Sequence, residues 1–239
     1  MTLFRKIRKD LIKKGQLKRY FLYAIGEILL VMIGISLAFQ LDNWNEDRVK
    51  KNTEISYYKN IQDQIVEDRG LIVGLVNFNK TYMEQFEYAA KIVGMNDRTK
   101  MDTLGIIVSN LTQYSDFDRQ GNIYETMVNS GEVKILRNHD IVNGLRLLEE
   151  KYLYINRMEN IHYDAMMNYV IPAVNPNLKL AKAQIMKPDA LYTYEFQNLV
   201  LSLIQIMTEK DKVYNEALDI IESVTGLIEK EETNENQFL

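Results

Sequence analysis

Between Phe21 and Leu41 the chain reads FLYAIGEILLVMIGISLAFQL, an apolar run broken by one charge, Glu27. At ~1.5 Å rise per residue a helix of this length crosses a hydrocarbon layer of ~30 Å. The run predicts a transmembrane helix over residues 21–41. No proline occurs before Pro172, so residues 42–57 read as a helical extension of the span. From Tyr58 the apolar positions recur at helical spacing: Ile61, Ile65, Ile72, Leu75, Tyr82, Phe86, Ala89 and Val93. Asp68 and Asn79 interrupt the same stripe. Gly94-Met95-Asn96-Asp97 closes this long helix.

The rest of the chain is also helical in period. Met101 to Leu111 forms a short helix with Asp102 near its start, and Tyr114 to Gly121 is polar and turn-like. Asn122 to Ser130 is a short helix closed by Gly131. Asn138 caps a helix with the stripe Ile141, Leu145, Leu148, Tyr152, Ile155, His162, Met166 and Tyr169, stopped by Pro172. Pro188 starts the last helix. Its heptad is Phe196, Leu199, Leu203, Ile206, Val213, Ala217, Ile220, Val224 and Leu227, broken only by Lys210, and the tail from Glu229 frays. No segment sustains period-two alternation. The expected fold is all-α: one N-terminal transmembrane helix, then an antiparallel periplasmic helical bundle over residues 58–230 and a polar tail, 231–239. Most of the 15 tyrosines fall on or beside core stripes, placed to keep their hydroxyls at the wet edge.

Charge fixes the expected topology. Arg5, Lys6, Arg8, Lys9, Lys13, Lys14, Lys18 and Arg19 precede the span against one acid, Asp10, while Asp42, Glu46 and Asp47 follow it. The basic side stays cytoplasmic, which places the C-terminal domain in the periplasm. Residues 1–20 form a basic cytoplasmic segment. Within it Leu3, Phe4, Ile7, Leu11 and Ile12 share one face of a helix suited to lie on anionic lipid. Trp44 stands where an interfacial aromatic belongs. Beyond the span the chain holds 21 basic and 31 acidic residues, a charge of about −10 that argues against nucleic acid as partner. Ser36-Leu37-Ala38 imitates a signal cleavage site, but the run exceeds a signal peptide's roughly 7–15 apolar residues, so the span reads as retained. No cysteine is present, which excludes disulfides, thiolate catalysis and cysteine-held metals.

Few residues suggest chemistry. A carboxylate inside a spanning helix costs ~2.5–3.5 kcal/mol when charged at its centre, so Glu27 either faces protein or reaches for the basic flank. Gly26, Leu30, Gly34 and Ala38 lie along one i+4 stripe, with Glu27 nearly on it; small residues there let a second helix approach closely. This stripe is the candidate association face, with membrane lipids, other membrane subunits or a second copy of the chain as partners. Asp116, Asp118, Gln120 and Gly121 imitate half of a calcium loop, but Met127 occupies the position of the bidentate glutamate. His139 starts a helix, and His162 reads as a buried, hydrogen-bonded imidazole. Asp102-Thr103-Leu104 resembles a short bacterial O-glycosylation pattern, and a helix cap explains Asp102 equally well. No nucleophile elbow, P-loop, dinucleotide fingerprint or metalloprotease motif appears. The expectation is therefore a non-catalytic scaffold or accessory subunit without cofactor or metal. The alternatives are a periplasmic ligand-binding or sensing module, and a stator-like part of an ion-driven machine using Glu27.

Phe4-Arg5-Lys6-Ile7-Arg8, Tyr23-Ala24-Ile25-Gly26-Glu27-Ile28, Gly34-Ile35 and Leu41-Asp42-Asn43-Trp44-Asn45-Glu46 resemble an uncharacterised family of Bacteroidetes membrane proteins, a domain of unknown function. Asn129-Ser130-Gly131, followed by Ile135 and Asn138, resembles its middle section. The resemblance implies a Gram-negative inner membrane and a periplasmic helical domain. It implies no activity, substrate or catalytic residue.

Overall fold

The computed structural model describes residues 17–119 and 121–236. The chain separates into two compact units, one ending at Glu54 and one beginning at Ile55. It is all-α, with one long apolar helix near the N-terminus. That helix, α1, runs Leu17–Gly94. The expected amphipathic segment over residues 3–14, with Arg5, Lys6, Arg8, Lys9, Lys13 and Lys14, lies outside the described residues.

Within the first unit, the Phe21–Leu41 stretch of α1 keeps its apolar side chains exposed, and every residue from 28 to 50 is exposed. Among the described residues, α1 alone is long and apolar enough to cross a membrane. Lys50 pairs with Glu46 one turn earlier, and the Arg48 guanidinium lies 5.5 Å over the Trp44 ring.

The second unit continues with α2 (Met101–Asn110), α3 (Ile123–Ser130), α4 (His139–Ala165), a π-helical turn (Met166–Val170), α5 (Ile171–Val174), α6 (Pro188–Leu191) and α7 (Tyr194–Asn236). Asn122 caps α3 by accepting from Glu125 N–H, and Gly131 ends it at φ 77°, a left-handed turn that glycine adopts without strain. Asn138 caps α4 through Asp140 and Ile141 N–H, as its position predicts. α4 and α7 pair along much of their length. Asn138 meets Glu231, Lys151 meets Glu216, and Tyr154 meets Glu209, so numbers rise along one helix as they fall along the other. A two-residue ladder departs from helix: Leu178 pairs with Ile185 and Lys179 with Gln184, antiparallel.

Several expectations need correction. Pro172 does not stop the helix at residue 170. The π turn shifts the register, and Pro172 falls at the start of α5, where its missing N–H removes no bond. That extra residue also turns Tyr169 outward, 66% exposed, and puts Val170 in the core instead. The last helix starts at Tyr194 rather than Pro188, because α6 ends at Leu191 and Thr193 Oγ1 accepts from Phe196 N–H. It continues to Asn236 instead of fraying at Glu229. Its buried face runs through Val200, Met207, Ile221 and Ile228 rather than Leu199, Ile206, Ile220 and Leu227: the second buried position of each repeat lies four residues after Phe196, Leu203, Ala217 and Val224 instead of three, a constant offset along the helix.

The apolar interior of this unit falls into two clusters. One gathers Tyr58, Ile65, Leu145, Tyr152, Val213 and Ile221. The other gathers Phe86, Leu104, Met166, Val170, Leu203 and Met207. Each element that serves both clusters changes over at a buried polar residue: Asn79 on α1, Ser115 in the segment after α2, Glu159 and His162 on α4, and Lys210 on α7.

Candidate functional site

These residues form a dry polar belt across the second unit. Lys210 is fully buried, and its Nζ donates to Ser115 Oγ at 3.0 Å and to Ser115 O at 3.5 Å. Nζ also lies 3.4 Å from His162 Nδ1. An ammonium only donates, so Nδ1 accepts and the imidazole proton sits on Nε2. That Nε2 is buried and has no partner. The rings of Tyr114 and Tyr214 stand 5.6 and 5.9 Å from Nζ and supply cation–π attraction in place of water. Beside it the Glu159 carboxylate accepts from Tyr214 hydroxyl at 2.7 Å and from Phe117 N–H at 2.9 Å.

Burial sets the protonation of the belt. It pushes the Lys210 ammonium down to about 8, against the pull of Glu159 and Asp116. It pushes His162 down to about 4, helped by the Lys210 charge. Glu159 is raised by the same desolvation, which the bonds from Tyr214 and Phe117 and the Lys210 charge offset in part. Tyr214 is raised by burial and by Glu159, and Tyr114 is pushed up to about 12 by burial and the nearby Asp116. Near neutral pH the belt therefore holds the Lys210 ammonium beside a neutral His162 imidazole, with the proton affinity of Glu159 raised by burial. With Lys210 fully enclosed, the cluster as placed can hold and exchange protons, but offers no face to a dissolved molecule.

A second polar group lies one layer away. Arg119 grips Glu149 with two bonds, at 2.8 and 2.7 Å, and its guanidinium covers the Tyr152 ring at 4.8 Å. Asp68, buried on α1, acts on the Tyr152 hydroxyl and is raised by burial. Asp68 Oδ2 and the Tyr152 hydroxyl nonetheless fall outside hydrogen-bonding geometry. Fully buried Tyr58, Tyr152 and Tyr214 correct the expectation that tyrosine hydroxyls reach the wet edge.

Among the described residues, the sequence-derived association face is largely exposed. Gly26, Leu30, Gly34 and Ala38 are exposed, and Glu27 is half-buried. A Cβ built on Gly26 or Gly34 meets nothing within 4 Å. Lys18 and Trp44 are exposed, and the side chain of Arg19 lies outside the described residues. Asp116 and Asp118 are exposed, Gln120 lies outside the described residues, and Met127 is buried. Asp102 sits exposed in the first turn of α2 without capping it. His139 is exposed and His162 is enclosed, as expected. Sequence reasoning flags Asp68, Asn79, His162 and Lys210 as breaks in apolar stripes. It misses Glu159 and Ser115.

The chain belongs to a family of unknown function, DUF6090, which it matches over residues 27–210. The match opens on Glu27 and closes on Lys210, and so takes in both the apolar run from that point and the buried belt. Comparison with curated proteins and with solved structures finds no match.

Proposed function

We propose that this DUF6090 chain is a non-catalytic single-pass inner-membrane protein of Bacteroidetes type, a scaffold or accessory subunit of a membrane complex. Its N-terminus is cytoplasmic, and its second unit is an antiparallel helical bundle in the periplasm. It assembles through the face of Glu27, Gly26, Leu30, Gly34 and Ala38 with another subunit or a second copy. The observation that carries this reading is the exposure of apolar residues 28–41 among the described residues. Lipid satisfies such a surface, and its glycines leave room for a second helix. The eight basic residues before the span support the orientation. A sensing module is the second reading, favoured by the ionisable belt beneath an irregular segment. The test is native mass spectrometry of the full-length protein, purified in mild detergent at native level. A homo-oligomer or larger complex supports the scaffold; a clean monomer overturns it.

A further inference from the structure

The segment between α2 and α3 crosses the belt without secondary structure, yet it buries Ser115 and Phe117. Its polar ties lead to two helices, and the Phe117 ring packs 5.0 Å from that of Tyr152. Ser115 is held by Lys210 of α7, Phe117 N–H by Glu159 of α4, and Arg119 by Glu149 of α4. The Tyr114 ring leans on His162, with centroids 6.0 Å apart, and on Tyr163 at 5.5 Å. Irregular backbone held by a few side chains opens locally far more readily than the helices beneath it.

Under this cover His162 stands against the Lys210 ammonium, and its Nε2 proton has no acceptor. A second proton on the ring would set two cations side by side in a dry interior, whereas water would stabilise both. We propose that residues Thr112–Arg119 form an acid-released strap, lifted from α4 and α7 when His162 takes up a proton beside the Lys210 ammonium. Release frees Phe117 N–H from Glu159, turns Tyr114 and Phe117 outward, and wets the seam between the two apolar clusters.

The direction follows from linkage. Burial and the Lys210 charge push covered His162 down to about 4, against the ordinary value of about 6.5 in water. Between those values the open state takes up more protons, so falling pH favours opening. Glu159 acts the other way, because its raised affinity belongs to the covered state. Asp116, exposed on the strap, favours the Lys210 ammonium in the covered state and departs with the strap, and Asp68 of α1 belongs to the neighbouring Tyr152–Arg119 group. From pH 7.5 to 5 the His162 difference alone multiplies the opening constant by roughly 30-fold, an upper bound that Glu159 reduces.

Hydrogen–deuterium exchange of the full-length protein in detergent, corrected for intrinsic rates, measures this at residues 113–119. The expected result is a several-fold to roughly 30-fold rise in strap opening between pH 7.5 and 5, with the amides of α4 and α7 still protected. His162→Asn, whose carbonyl can still accept from Lys210, removes the rise. No rise in the wild type, an equal rise in His162→Asn, or an equal loss of protection in α4 and α7 overturns the proposal. Should His162→Asn lose helix protection already at pH 7.5, Lys210→Met decides. Without the ammonium, His162 protonates more easily under cover, so the rise must shrink; an unchanged rise overturns the strap.

Discussion

Asn79 Nδ2 on α1 donates to the Met207 carbonyl on α7 at 2.7 Å, joining the two helices where one apolar cluster gives way to the other. Asn79 is buried, and its bond reaches the backbone carbonyl of a residue inside α7. Asn79→Ala removes the bond and opens a cavity, at an expected cost of about 2 kcal/mol. Asn79→Leu fills the volume and costs less. Urea denaturation followed by far-UV circular dichroism separates the two.

Gly105 of α2 lies against the hairpin backbone. A Cβ there would stand 2.1 Å from the Ala183 carbonyl oxygen. Ala183 is itself left-handed, at φ 48°, so the hairpin has little freedom to yield. Gly105→Ala is expected to destabilise by about 3 kcal/mol. Gly74→Ala, where a Cβ on α1 meets nothing within 4 Å, instead stabilises by about 0.5–1 kcal/mol. Melting temperatures of the pair should move in opposite directions.

The Lys210 ammonium makes stability depend on alkaline pH. Its folded value, about 8, lies below its ordinary 10.5, so the native state holds fewer protons than the unfolded chain between them. Stability therefore rises as pH climbs from 8 towards 10, and the burial cost stands in full below 8. Above ~10 the raised tyrosines Tyr152 and Tyr214 reverse the trend, because they keep protons that the unfolded chain sheds. Lys210→Met removes the rise between pH 8 and 10. Denaturation midpoints at pH 7, 8, 9 and 10 test it.

Gly34→Leu probes the association face. Nothing in the chain lies within 4 Å of the added Cβ, so the substitution leaves the chain's own packing alone. Any loss of the assembled species then reports contact with another helix. Native mass spectra of the variant are expected to shift toward monomer, and so are those of Ala38→Leu. Spectra that match the wild type would remove this face from the assembly.

Periodicity reads the helices well here because each is long and one-sided. The stripe from Tyr58 to Val93 and the caps at Asn138 and Gly131 appear at the expected positions, while Asn122, read from the sequence as the first residue of a short helix, caps it. Tyr169 and Ile206 mark where periodicity fails: a π turn shifts one stripe by a residue, and on the last helix apolar residues stand at both three and four positions after Phe196 and Leu203, so spacing alone does not say which of the two faces inward. The belt is half legible. A lysine or asparagine on an apolar stripe announces itself, but Glu159 lies among the charges of Arg157 to Asp164 and looks solvated. Ser115 and Phe117 belong to a polar segment whose burial comes wholly from tertiary contacts.

The change of partners at Asn79, Ser115, Glu159, His162 and Lys210 has a bearing on alignment along the helix axes. Two uniformly leucine-lined helices can slide by a turn, ~5.4 Å, and trade one apolar contact for another of similar strength. Here a slip of one turn between α4 and α7 would carry Lys210 away from Ser115 and His162 and into aliphatic surroundings, and would part Tyr214 from Glu159. An unpaired charge in such surroundings costs several kcal/mol. The belt thus acts as a pin that holds one axial setting of the helices, and its release at a single point would give that setting play.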